Sequence, residues 1–236
     1  MYQTACANQL FLKALSLPTR QRRAEDGCNV SGTVEACHVT LVLDDPMRNV
    51  VTARPVDLRW ARANVLFFYT DTERALVLKA YNEHANKYLT EGLMVGAYGP
   101  IAWPGIKRAI QCLRQCKDTR AASATVTDNS RPRNANIPAC ISHLHFLNTD
   151  GLDLHVYSRS LNAWSVLPYD LILLTNLQKF VADAVGLSLG KLYWTVGSLH
   201  VNVKDLARET DNSTEAGSMF VEPLSSDQAW KELHCG

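Results

Sequence analysis

Cys140, the Arg159-Ser160 pair and Asp170 fall within 31 residues of one another, inside the stretch NIPACISHLHFLNTDGLDLHVYSRSLNAWSVLPYD (136–170). A cysteine attacks as its thiolate, and neighbouring Arg charge favours that form. Arg presents a planar fork to phosphate oxygens, and Ser adds a hydroxyl donor. A thiol, a cation with a hydroxyl, and a carboxylate suit a nucleophilic-cysteine site for a small anionic substrate. The plainer reading of Cys140 is a buried structural thiol, which is the expectation for most of the other six cysteines.

The elements that must position these residues follow from pattern. SHLHFLN (142–148) and LDLHVYSRS (152–160) alternate around Thr149-Asp150-Gly151, which predicts a β-hairpin. PYDLILLTNLQKFVADAVG (168–186) predicts a helix with Pro168 near its start and Gly186 past its end. Its early turns are apolar almost all round, the mark of a central buried helix. Upstream, 7–16 reads as a short helix, 18–32 as a loop, CHVTLVL (37–43) as a strand and NVVTARPV (49–56) as another. DLRWARANVLFFY (57–69) predicts a helix with Leu58, Ala61, Val65 and Phe68 inward, and 73–89 a further helix or helix pair. EGLMVGAYGPIAWP (91–104) reads as irregular, and GIKRAIQCLRQC (105–116) as an amphipathic helix with Ile106, Ile110 and Leu113 inward. SATVTD (123–128) and LYWTVGSLHVNV (192–203) read as strands, SRPRNANIPA (130–139) as a loop, and the polar tail from Arg208 as weakly patterned.

The totals bound the class. At 236 residues and 26.2 kDa, with 47% hydrophobic and 20% charged residues, the chain fits one large domain over 1–236. A net charge of +1 argues against a nucleic acid polymer as partner. Seven scattered cysteines and no basic leader predict a reducing, cytoplasmic setting, and no apolar run approaches a membrane span. Cys112 and Cys116 have helical spacing without a second pair at zinc-site distance, so no metal is expected. His143, His145 and His155 alternate on the hairpin and share one sheet face, where packing or tuning of the site is the expected role.

In order and spacing, IPAC around Cys140, VYSRS (156–160), LPYD (167–170), GSLHVNV (197–203), VVTARPVDLR (50–59) and AYGPIAW (97–103) resemble the thymidylate synthase superfamily, which includes pyrimidine nucleotide hydroxymethylases. The resemblance runs over about 32–206. It implies an α+β fold, a mixed sheet with helices packed around a central buried helix, in a sheet-backed homodimer that binds a pyrimidine nucleoside monophosphate. It implies catalytic places for Cys140, Asn64 and Tyr98. Cys140 would add to C6 of the pyrimidine and make C5 nucleophilic toward the carbon of 5,10-methylenetetrahydrofolate. Arg159, Ser160 and a partner-donated Arg120 would hold phosphate, and His200 and Asn202 the sugar. Asn162 and Val166 would line the folate pocket.

Several positions depart from the family pattern. Uridylate-using members carry Asn at the position of Asp170. An ionised carboxylate suits the amino group of cytosine and repels O4 of uracil, a contrast worth roughly 1–3 kcal/mol. Asp170 also suits a helix start on its own account. Asn64 stands where the family has a proton-relaying Glu, Ala121 follows Arg120 where a second Arg is usual, and Asn202 replaces a Tyr. Asn162 replaces an Asp and Val166 a Gly. GCNVSGT (27–33) lacks the phosphate-loop Arg, though Arg22 and Arg23 lie nearby, and the tail lacks the family's closing pattern. The expectation is a cytidylate or deoxycytidylate 5-hydroxymethylase. A methylating enzyme on a cytosine or uracil nucleotide, and a nucleotide-binding homologue without folate turnover, stay open.

Overall fold

The computed structural model describes residues 1–21, 32–70, 72–94, 97–126, 139–213, 215–222 and 224–235. The chain folds as a mixed α/β architecture of one seven-stranded sheet, a small two-stranded one and five α-helices among those residues. In chain order these are β1 Tyr2–Thr4, α1 Ala7–Ser16, β2 Arg20–Gln21, β3 Thr33–Leu43, α2 Leu58–Tyr69, β4 Leu89–Thr90 and β5 Leu93–Met94. There follow α3 Tyr98–Gln115, β6 Ser123–Thr125, β7 Ile141–Asn148, β8 Leu152–Asn162, α4 Leu167–Val185, β9 Leu189–Asn202 and α5 Ser226–Cys235. The large sheet runs β1-β3-β9-β8-β7-β6, with β2 beside β3.

The hairpin β7–β8 forms where its alternation predicts, and β8 then crosses through α4 to its parallel neighbour β9. Because side chains alternate along a strand, one face of this sheet buries Leu144, Phe146, Leu154, Val156, Trp194 and Val196 under the helices. The same face carries Ser158, whose hydroxyl accepts from Trp194 Nε1 at 2.8 Å. The opposite face carries His143, His145, His155, Tyr157 and Tyr193; His155 stacks on Tyr193 with centroids 4.5 Å apart. The three histidines therefore share a face, as their spacing predicts, but it is the face away from Ser160.

α4 is buried along most of its length, from Leu167 through Leu171, Ile172 and Leu174 to Val181. It ends at Gly186, whose left-handed φ of 65° a side chain would resist. Inside it, Gln178 Nε2 donates to the carbonyl of Leu152 at 2.8 Å and to that of Lys191 at 3.1 Å, tying α4 to the starts of β8 and β9.

Four sequence expectations change here. The 49–56 run is not a strand: Val50 exchanges backbone hydrogen bonds only with Gly217, an isolated bridge. Residues 73–89 form two 3₁₀ turns, Leu76–Ala80 and Glu83–Tyr88, because the backbone around them is pinned to β5 through Ala75–Gly92 and Arg74–Leu93 contacts. α3 begins at Tyr98, seven residues before the predicted start, with Pro100 tolerated in its first turn and Pro104 carried inside it. Leu58, predicted inward, is 46% exposed at the first position of α2.

The tail is ordered despite its weak pattern. Asn8 Oδ1 accepts from the amides of Thr52 and Ala53, and its Nδ2 reaches the carbonyls of Ser213 and Glu215. Asn49 bonds Met219 through both its amide and its carbonyl, at 2.9 Å each. Asn176 holds Met219 O at 3.0 Å and accepts from Val221 N at 2.7 Å. α5 then docks on α2, with Tyr81 Oη donating to Leu233 O and Arg62 paired with Glu232. No helix among the described residues is long and apolar enough to cross a membrane.

Candidate active site

Cys140 sits half-buried at the entry to β7, and Arg159 N donates to its carbonyl at 2.9 Å, so the hairpin fixes its backbone. Its Sγ lies 3.6 Å from Ser160 Oγ and 3.7 Å from Arg159 Nη2. Arg159 also donates through Nε to Ala139 O at 3.1 Å, which steadies the guanidinium beside the thiol.

From the helical side, Tyr98 meets Cys140 and Asp170 lies close to Tyr98. Tyr98 opens α3, and its hydroxyl is raised well above the usual phenol range by burial first, then by the nearby charges of Asp170 and Cys140. Hydrogen bonds from the Ile141 and Cys140 amides act the other way. Gly99 allows this approach: a Cβ there would stand 2.5 Å from Phe68 O and 2.8 Å from Thr70 O. Asp170 lies in the first turn of α4, where the helix end favours negative charge. Burial wins nevertheless and pushes its carboxyl up to about 7. Its Oδ2 is enclosed and has no hydrogen-bond partner among the described residues. The α4 N-cap is Val166, with no side-chain cap, so Asp170 does not serve as a capping residue.

The remaining sequence-derived positions spread outward. His200 lies in register with Asn162 on β8, and its carbonyl accepts from Ala163 N at 2.8 Å. Burial lowers its pKa, with Glu35 opposing that shift and Arg159 adding to it. Asn162 accepts the amides of Trp164 and Ser165 on Oδ1 at 3.0 and 2.9 Å, closing the turn into α4. Val166 packs half-buried against the core. Asn202 donates to Asp205 Oδ2 at 3.0 Å, and Asp205 in turn pairs with Arg208 at 2.8 Å.

Two positions stay apart from this cluster. Asn64 uses its amide within its own helix, donating to Trp60 O at 2.8 Å. Arg120 lies at the far end of β7, where His145 Nε2 donates to its carbonyl at 3.0 Å; five residues of strand, about 17 Å, separate that end from Cys140. Ile137, Pro138, Arg22, Arg23 and most of GCNVSGT lie outside the described residues.

Sequence reasoning missed three contributors. Glu35, 2% exposed, accepts from Ser198 Oγ at 2.8 Å; an acid inside an apolar strand was the available signal. Arg54 and Arg208 lie over the Trp164 ring at 5.3 and 5.6 Å, Arg54 also near Tyr169 at 5.8 Å. No local pattern links Arg54, Trp164 and Arg208, which are brought together only by the fold. Arg54 Nε is enclosed without a partner among the described residues. The described residues contain no group of three or more His, Cys, Asp or Glu placed to hold a metal ion.

A model of the thymidylate synthase family, described as "Thymidylate synthase", matches residues 17–215, most of the chain, and the chain belongs to that family. A thymidylate synthase of Zymomonas mobilis is 36% identical over 67 residues, which is 28% of this chain and 23% of that protein. The matched stretch thus spans about a quarter of that relative.

Proposed function

We propose that this chain is a pyrimidine nucleotide C5 one-carbon transferase acting on a cytosine nucleotide, a CMP or dCMP hydroxymethylase. The observation that carries the reading is the buried Tyr98 hydroxyl, close to both Cys140 and Asp170, with the enclosed Oδ2 of Asp170 unpartnered among the described residues. In its acid form that carboxyl donates to N3 of cytosine and accepts from the 4-amino group; in its ionised form it still accepts from the amino group. Cys140 Sγ bonds to C6, the C5–C6 π electrons shift toward C5 and the ring carbonyl, and Asp170 supplies the proton that neutralises the ring. Arg159 and Ser160 stand beside the sulfur and on the path of an anionic substituent. The Tyr98 hydroxyl, held protonated by burial, is positioned to take part in the transfer of the C5 proton.

Methylenetetrahydrofolate, when bound, supplies the carbon. The wall of Arg54, Trp164, Tyr169 and Arg208, with Arg54 Nε unpartnered, fits a flat anionic cofactor. Ser165 and Asn162 lie on the same turn, where polar groups are compatible with an ordered water that completes a hydroxymethyl product; hydride in place of water gives a methyl product. Arg120, whose backbone lies far from its own Cys140, and the partly exposed histidine face of the sheet support a homodimer. A second reading, a nucleotide binder without turnover, is favoured by Asn64, whose amide is committed to Trp60 and cannot relay protons as a Glu does.

Release of tritium from C5 of labelled CMP, dCMP, UMP and dUMP separates these readings. Release from a cytosine nucleotide, abolished in Cys140→Ala, is the expected result. Release from uracil nucleotides alone overturns the assignment of the base. No release from any of the four favours the binding protein.

A further inference from the structure

Arg159 and Ser160 are consecutive on β8, and in an unbroken strand consecutive side chains leave on opposite faces. Both nevertheless reach one sulfur: Ser160 Oγ lies 3.6 Å and Arg159 Nη2 3.7 Å from Cys140 Sγ. The strand is broken here. Between β8 and β9 the partners run Ser158–Val196 and then Ser160–Ser198, so the ladder passes over Arg159 and Gly197. Between β9 and β3 they run Val196–Val39 and then Ser198–Cys37, which passes over Gly197 again and over His38. The row His38–Gly197–Arg159 is thus left out of the pairing on three neighbouring strands. Beside it the β7–β8 register slips between Ile141 and His143.

The burial pattern slips by one residue at the same row. On β9 the buried positions are Leu192, Trp194 and Val196 before it and Leu199 and Val201 after it. On β8 they are Leu154, Val156 and Ser158 before it and Leu161 after it. Ser160, Ser198 and His200, which an unbroken alternation would bury, are left half-buried. The backbone shows what maintains the break. A Cβ on Gly197 would stand 2.8 Å from the Arg159 carbonyl oxygen, so β9 approaches β8 more closely there than a side chain allows. On the far side His38 takes a φ of 53°, a left-handed conformation that a side chain resists and that persists only where its surroundings impose it. Irregularities of this kind re-aim side chains beside active sites.

We propose that His38 and Gly197 are positioning residues: their row maintains the break that brings Arg159 and Ser160 together on the Cys140 sulfur. The proposal deepens the reading above, and rests on it for the anion that Arg159 then meets.

Alkylation of the full chain with iodoacetate and with iodoacetamide at one pH, followed at Cys140 by mass spectrometry, reads the charge beside the sulfur. The ratio of the two rates cancels the ionisation of the thiol and reports the cation that the anionic reagent meets. Arg159→Ala is expected to lower that ratio about 4-fold, the effect of one unit charge at roughly 5 Å in water. Gly197→Ala, with Arg159 still present, should lower it by the same factor, and the double variant by no more. His38→Gly suits the left-handed backbone and should keep the native ratio, whereas His38→Val, whose branched side chain opposes it, should lose it. A native ratio in both Gly197→Ala and His38→Val makes the row structural only and overturns the proposal. Additive losses in the double variant overturn it too, as does an unchanged ratio in Arg159→Ala. Should Gly197→Ala or His38→Val not fold, the other decides. Calorimetry with CMP and cytidine tests the nucleotide reading separately: Gly197→Ala should lose CMP affinity and keep that for cytidine. A native chain that binds neither overturns the nucleotide reading and leaves the positioning role to the alkylation ratio.

Discussion

Replacing Asp170 with Asn removes a buried charge while keeping the shape of the side chain. Its carboxyl rises from 3.8 to about 7 through burial. A raised pKa means that the folded chain holds the proton more tightly than the unfolded one. That contribution to stability is present in full below about pH 4 and is lost as pH rises through 7, above which the folded state carries an enclosed carboxylate. Three units at about 1.4 kcal/mol each set the whole span at about 4 kcal/mol. Roughly half of it, about 2 kcal/mol, falls between pH 5.5 and pH 8. Urea unfolding of both chains at those two pH values should therefore find Asp170→Asn gaining about 2 kcal/mol relative to the native chain on going from pH 5.5 to pH 8. A difference between the chains that does not change with pH would refute the burial argument, and with it the claim that this carboxyl is poised near neutrality.

The same titration bears on base choice. The acid form of Asp170 can pair with uracil as well as cytosine, whereas the ionised form repels O4, so the ratio of CMP to UMP affinity should rise between about pH 6 and pH 8. Calorimetry at both pH values checks this, and a flat ratio contradicts it. Gly99→Ala forces a Cβ against Phe68 O and Thr70 O, and should cost about 1–3 kcal/mol in thermal unfolding while weakening CMP binding through displacement of Tyr98. Asn176→Leu leaves the amide of Val221 without its partner and takes one of two donors from the carbonyl of Met219, which keeps Asn49, a loss of about 1–3 kcal/mol in urea unfolding accompanied by faster proteolysis of the tail.

Much of the scaffold was legible in the sequence because it rests on local periodicity. β7, β8 and α4 follow directly from alternation, a Thr-Asp-Gly turn and an apolar helix closed by Gly186. What failed was order imposed from a distance. The 49–56 run has strand composition, yet its backbone is claimed by Asn8 and by a tail more than 160 residues away. The tail carries no pattern of its own because its hydrogen bonds go to Asn8, Asn49 and Asn176 rather than to a regular ladder. In the site, Cys140, Arg159 and Ser160 were legible from adjacency on one hairpin. Glu35 was not, because only the register of three strands sets it opposite His200.

The two departures at Asn64 and Asp170 are better understood together than apart. Where the family resemblance implies a Glu on α2, this chain has an amide bonded to its own helix at Trp60, which cannot exchange a proton at neutral pH. Where it implies an amide on α4, this chain has a carboxyl that burial pushes up to about 7 and whose Oδ2 has no partner among the described residues. Under the proposed reaction, one proton-transferring group is lost at Asn64 and one is gained at Asp170. For a uracil substrate the exchange is unfavourable, since ionised Asp170 opposes O4 and nothing at Asn64 relays the proton. For a cytosine substrate it is coherent: N3 needs a proton as the thiolate adds to C6, and in the proposed reading the group that meets the 4-amino function is also the one that delivers it.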